Sequence, residues 1–141
     1  MRVFLDTSVL VAAFYGDHPA HEACLDVFRR CSRASACCAV HSLAELYAVM
    51  TRLPVRPAIT PEHCLLFLSE IQERLAGIGL TEKEYYRVIE QAAEHSLTGG
   101  AIYDRLILEC AQKCSADVVY TLNKKHFAAL APALAARIKA P

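Results

Sequence analysis

The chain is 141 residues long, 55% of them apolar, with 15 basic and 15 acidic side chains that cancel to zero net charge. That composition excludes a disordered chain and suits one domain, residues 1–141, with a real core. It also excludes any argument for nucleic-acid binding from net charge, so such a ligand would have to be held by a local patch or a metal.

The run Val3-Phe4-Leu5 reads as a short buried strand ending in Asp6-Thr7-Ser8, after which Val9 to Phe14 begin a helix. Asp6 interrupts the apolar start too early for a signal peptide. No apolar run approaches the roughly 20 residues of a spanning helix. The expectation is a soluble, cytoplasmic protein without membrane contact. Gly16-Asp17-His18-Pro19 is a turn, and His21 to Arg30 form an amphipathic helix with Ala23, Cys24, Val27 and Phe28 on one face. Ala36 to Val40 reads as a second buried strand. Leu43, Leu46, Tyr47 and Met50 then repeat at helical spacing up to Leu53-Pro54.

Thr60-Pro61 starts another helix, Gly77 to Leu80 reads as a strand of little bulk, and Thr81 with Glu84 forms a capping box for a helix to about His95. Ala101 to Ser115 is a strongly apolar helix, Ala116 to Thr121 a strand, Lys124 to Leu130 a short helix, and Ile138 a last edge strand. Strands alternate with helices throughout, which predicts an α/β fold with a parallel sheet. The seven cysteines form no CxxC pair and read as small buried hydrophobes rather than as a disulfide framework or a zinc site.

In a parallel sheet the strand ends share one edge, and ligands sit there. Asp6, Glu45 and Asn123 all follow predicted strands, and Asp104 joins them if its helix begins on the same side. Each has a plainer role. Asp6 could cap the first helix, and Ser42 with Glu45 fits a capping box. Asp104 has Ile107 and Leu108 as neighbours on its helix face, and a partly desolvated acid needs a partner. Asp117, just before a strand, reads as a backbone-bonding residue outside the site. Carboxylates that converge without basic partners repel one another unless a cation fills the gap, and hard oxygen ligands suit Mg²⁺ or Mn²⁺.

Phe4-Leu5-Asp6-Thr7-Ser8, His41 to Leu46, Ile102 to Ile107, and Ala116-Asp117 through Tyr120-Thr121-Leu122-Asn123 with His126-Phe127 resemble the PIN-domain ribonucleases, most of all the VapC-type toxins of toxin–antitoxin pairs. The resemblance spans nearly the whole chain. It implies an α/β/α sandwich around a central parallel sheet of four or five strands, and Mg²⁺- or Mn²⁺-dependent cleavage of RNA. Asp6, Glu45 and Asp104 match the family's three principal acids, with Asp6 and Asp104 as metal ligands. Asn123 falls where many members carry a further acid. Thr7, Ser8 and Thr121 line the expected site. Toxin members imply a homodimer and a cognate antitoxin.

Two other readings compete with a toxin: a housekeeping PIN nuclease of RNA processing or decay, and a catalytically silent RNA-binding PIN domain. Phosphatases with an aspartyl nucleophile want a second aspartate two residues after the first. Here that position is Ser8, which argues against them.

Overall fold

The computed structural model describes residues 1–141. Five parallel strands form one sheet: β1 (Val3–Leu5), β2 (Ala36–Ala39), β3 (Ala76–Ile78), β4 (Val118–Tyr120) and β5 (Ile138–Lys139). Their order is β3-β2-β1-β4-β5, so the first strand made is the central one. Val3, Phe4 and Leu5 of β1 face Val118, Val119 and Tyr120 of β4, and Val3 and Phe4 face Ala36 and Cys37 of β2. This is the predicted α/β/α sandwich, with the higher of the two strand numbers. The strands are shorter than the apolar runs suggested, because Val40 and Leu80 lie beyond the paired residues.

Alternation along the strands divides the core in two. Leu5, Ala36 and Cys38 point toward α1 (Thr7–Phe14), α2 (His21–Arg29), α3 (Val40–Arg52) and α4 (Pro61–Arg74). Phe4, Cys37, Ala39 and Val119 point the other way, toward α6 (Ala101–Lys113) and α7 (Lys124–Leu130). This period-2 pattern, buried on both faces, is what a helix-covered parallel sheet requires. A Cβ on Gly77 would sit 3.0 Å from a Val40 methyl, so the bare strand β3 lets α3 start without a loop. All seven cysteines are buried thiols. Burial pushes Cys38 up to about 12 and Cys110 up to about 11, which leaves both protonated and unreactive. Asp117 accepts the Arg2 N–H at 2.7 Å, the backbone role read for it.

Helix α5 (Glu82–Glu94) starts on the predicted capping box: Thr81 accepts the Glu84 N–H, and Glu84 accepts the Thr81 N–H. Glu84 also meets Lys113 of α6 at 2.6 Å. The Lys113 ammonium, helped by the Thr81 N–H, holds the Glu84 carboxyl down at about 2. A carboxylate whose pKa is lowered by folding stabilises the fold above its unfolded value of about 4.5, and that contribution fades as the pH falls toward about 2. Glu84→Gln keeps the cap and removes the charge. Its Tm is expected below that of the wild type at neutral pH, and the gap narrows between pH 4.5 and about 2 in thermal unfolding followed by circular dichroism.

Candidate active site

Strands β1 and β4 end level with each other, so the residues that follow them meet. The Asp6 N–H donates to the Tyr120 carbonyl at 3.0 Å, which carries the β1–β4 pairing one residue past the strand. Asp6 then turns its side chain back as the cap of α1 and accepts the Ser8 N–H at 3.4 Å. The capping role and the site role coexist. The Ser8 and Thr121 hydroxyls also donate to Asp6, at 2.7 and 2.9 Å. All three donors end on Oδ2, which leaves Oδ1 as the oxygen available to the cleft. Each hydroxyl is itself held: Ser8 Oγ accepts the Leu122 N–H and Thr121 Oγ1 accepts the Asn123 N–H, both at 3.0 Å. Asp6 is only 3% exposed, and burial raises its pKa against the pull of these hydrogen bonds. No Lys or Arg pairs with it. It is a buried acid with a rigid seat and no counter-charge.

Glu45 departs from the capping-box reading. Helix α3 begins at Val40 with Ala39 as its cap, so Ser42 is already the third helical residue and cannot cap. Instead Thr7 Oγ1 lies 2.8 Å from Ser42 Oγ and 3.0 Å from Glu45 Oε1. A hydroxyl has one proton, and the charged carboxylate is the stronger acceptor. Thr7 therefore orients Glu45 from the first turn of α1, with the buried Ser42 hydroxyl behind it.

Asp104 stands in the first turn of α6 and is about one-third exposed. Its carboxylate oxygen Oδ2 is 2.9 Å from His126 Nε2, a partner supplied by α7. Asn123 is the cap residue of α7, yet its side chain makes no cap hydrogen bond and stays free to face the cleft. Asp6, Thr7, Ser8, Glu45, Asp104 and Asn123 line one open cleft of about 440 Å³, together with His18, Val11, Val49 and Leu122. Thr121 is fully buried and stands behind Asp6 rather than in the cleft wall. His18, His126 and His41, which lies 3.7 Å from Glu45, are the surrounding groups that sequence reasoning did not single out. His126 sat inside a recognised motif, but nothing in the linear sequence tied it to Asp104.

The lining contains three carboxylates and no Lys or Arg. Their oxygens are the hard donors that Mg²⁺ and Mn²⁺ take, and an uncompensated buried acid such as Asp6 fits a cation site. The acids stand in the walls of the cleft, and no three His, Cys, Asp or Glu side chains close into a ready cage. A larger hollow of about 600 Å³ lies on another side of α6, lined by α5 and residues 129–134. Its one acid, Glu109, is paired with Arg87 at 2.7 Å and Arg105 at 3.5 Å, so that hollow has no acid to spare.

Fold and cleft together define a class: a parallel α/β protein with a carboxylate site across the ends of its central strands. The sequence matches the PIN domain over residues 3–131, and the chain belongs to the PIN-domain family, among its VapC-type ribonucleases. It is 35% identical over 114 residues to Ribonuclease VapC40 of Mycobacterium tuberculosis, which covers 81% of each chain. It is 32% identical over 114 residues to Ribonuclease VapC27 of the same species, 81% of this chain and 80% of that one. Among solved structures it superposes on Mycobacterium tuberculosis VapC20, described as a sarcin-ricin loop cleaving toxin, with a TM-score of 0.72 at 13% identity over 90% of this chain and 94% of that one. It superposes on VapBC2 from Rickettsia felis, bound to a DNA fragment from their promoter, with a TM-score of 0.61 at 21% identity over 90% and 91%. These two likenesses show the fold. No helix of the chain is long and apolar enough to cross a membrane.

Proposed function

We propose that this chain is a metal-dependent endoribonuclease and the toxin of a type II toxin–antitoxin pair. It acts as a single PIN domain on RNA phosphodiester bonds, with Mg²⁺ or Mn²⁺ as cofactor, a homodimer as its assembly and a cognate antitoxin as its partner. The observation that carries this reading is the meeting of Asp6, Glu45 and Asp104 in one cleft without a basic lining residue. The names of the curated relatives, VapC40 and VapC27, both ribonucleases, favour a toxin over a housekeeping nuclease. The intact set of three acids favours an active enzyme over a silent binding domain.

Asp6 and Asp104 would hold the ion, with Glu45 and the Asn123 carbonyl oxygen beside them. A bound ion of this kind activates water and stabilises charge on a phosphoryl oxygen during in-line displacement. The chain's own residues supply preorganisation. Ser8 and Thr121 fix Asp6, Thr7 fixes Glu45, and His126 fixes Asp104. Such supporting partners matter because they keep the ligand oxygens aimed before the substrate arrives.

Purified protein is expected to cleave single-stranded RNA with Mg²⁺ or Mn²⁺ and to stop in EDTA. Its expression should arrest growth unless the adjacent small reading frame is co-expressed. Asn123 gives the cation test a sharper edge, since it offers an oxygen but no charge. Asn123→Asp should tighten Mn²⁺ binding by isothermal titration on the order of ten-fold, because ligand charge sets affinity at such sites. Unchanged affinity and stoichiometry would place Asn123 outside the cation site.

A further inference from the structure

The first turns of α3 and α6 meet beside the cleft. His41 lies one helical turn before Glu45, with its Nε2 3.7 Å from Glu45 Oε1. Tyr103 is the residue before Asp104. The two rings stack, with centroids 5.5 Å apart and planes 8° apart. His41 stacks offset against the tyrosine ring, and Tyr103 remains 52% exposed, so much of the tyrosine is open to solvent. As a clasp between helices this is a poor design, since half of the tyrosine is left in water. As a flat apolar surface beside two acids of the site it has a use.

That use follows from the electrostatics of the cleft. The proposed cation answers the carboxylates at the scissile phosphate, but no lining side chain is a Lys or Arg to hold the rest of the strand. Arg105, next to Asp104, is committed to Glu109. A polyanion drawn to such a place gains from a hold that does not depend on charge. Base–aromatic stacking is one, and it is open only to bases that are not already stacked in a duplex. We propose that the His41–Tyr103 pair is a base platform, on which an unpaired nucleobase flanking the scissile phosphate stacks while that phosphate enters the acidic cleft. The proposal deepens the ribonuclease reading and rests on it: it makes Tyr103 a residue of substrate positioning.

The test has two arms. The chain contains no tryptophan, so Tyr103→Trp places a single indole on the platform. Its fluorescence should be quenched by a single-stranded oligonucleotide and unaffected by a fully paired duplex. This arm reads stacking without needing cleavage, so its outcome stands apart from failure of the nuclease reading. In the second arm, Tyr103→Ala should lose roughly ten-fold in kcat/KM on single-stranded RNA, the scale of one stacked base, carried mainly by KM. Tyr103→Phe should keep the wild-type value, as should the control Tyr86→Ala on α5. An abasic site at one position beside the cut should lower wild-type cleavage and leave Tyr103→Ala no worse than wild type on that substrate. Equal quenching by duplex and single strand, no loss in Tyr103→Ala, or a loss that persists on every abasic substrate would overturn the platform.

Discussion

Asp6→Asn should abolish RNA cleavage in a protein that folds as well as the wild type. The asparagine carbonyl oxygen can take the place of Oδ2 and accept the Ser8 and Thr121 protons, so the seat at the end of β1 survives. What is lost is the negative charge that a divalent ion needs. Removing an outer partner of a metal ligand typically costs about ten- to a hundred-fold, and loss of a ligand's charge should exceed the upper figure. Burial already raises the Asp6 pKa, which means that the fold bears a cost for keeping the carboxylate ionised. In metal-free buffer at neutral pH the variant's Tm should therefore match or exceed that of the wild type. Cleavage is measured with Mg²⁺ and with Mn²⁺, and Tm by circular dichroism. Wild-type rates in a folded Asp6→Asn protein would remove Asp6 from the chemistry.

Glu45→Gln should also cost cleavage at least about ten-fold while Tm holds. Glutamine keeps an oxygen for the Thr7 proton, so the link between α1 and α3 persists. No cap is at stake, because Ala39 occupies the cap position and Ser42 lies inside the helix. A loss of Tm with full activity would return Glu45 to a purely structural role. A loss of activity at constant Tm assigns it to the cation or its water.

The sequence read most clearly where one strong local pattern decided the element. The Thr81 and Glu84 capping box, the Thr60-Pro61 start and the apolar strand before Thr121 are of that kind. It misled where two local patterns competed. Ser42 and Glu45 have the spacing of a capping box, but the close passage of Val40 against Gly77 lets α3 begin two residues before Ser42. The acids of the candidate site were legible because motif and topology agree on them: Asp6 follows β1, Asp104 stands in the first turn of α6, and Glu45 lies in the second turn of the helix that follows β2. The groups that hold them were not. Thr7 to Glu45 spans 38 residues, Thr121 to Asp6 spans 115, and His126 to Asp104 joins two helices. Such pairs exist only once the sheet order is known, and no local periodicity encodes them. The stack of His41 on Tyr103 was hidden for the same reason.

The strand order has a consequence for biosynthesis. The central strand is made first, but its β4 partner comes only at residues 118–120, and Asp6 finds its Thr121 donor one residue later. Non-local parallel pairing of this kind is slow to form, because a long stretch of chain must be closed before the contact rewards it. A nascent chain that stops before β4 carries all three acids of the cleft but lacks Leu122 and Asn123 of its lining, the Thr121 hydroxyl that seats Asp6 and the His126 partner of Asp104. Synthesis therefore delivers the acids before the supports that aim them, and the site is assembled only when the last third of the chain closes back on the first strand.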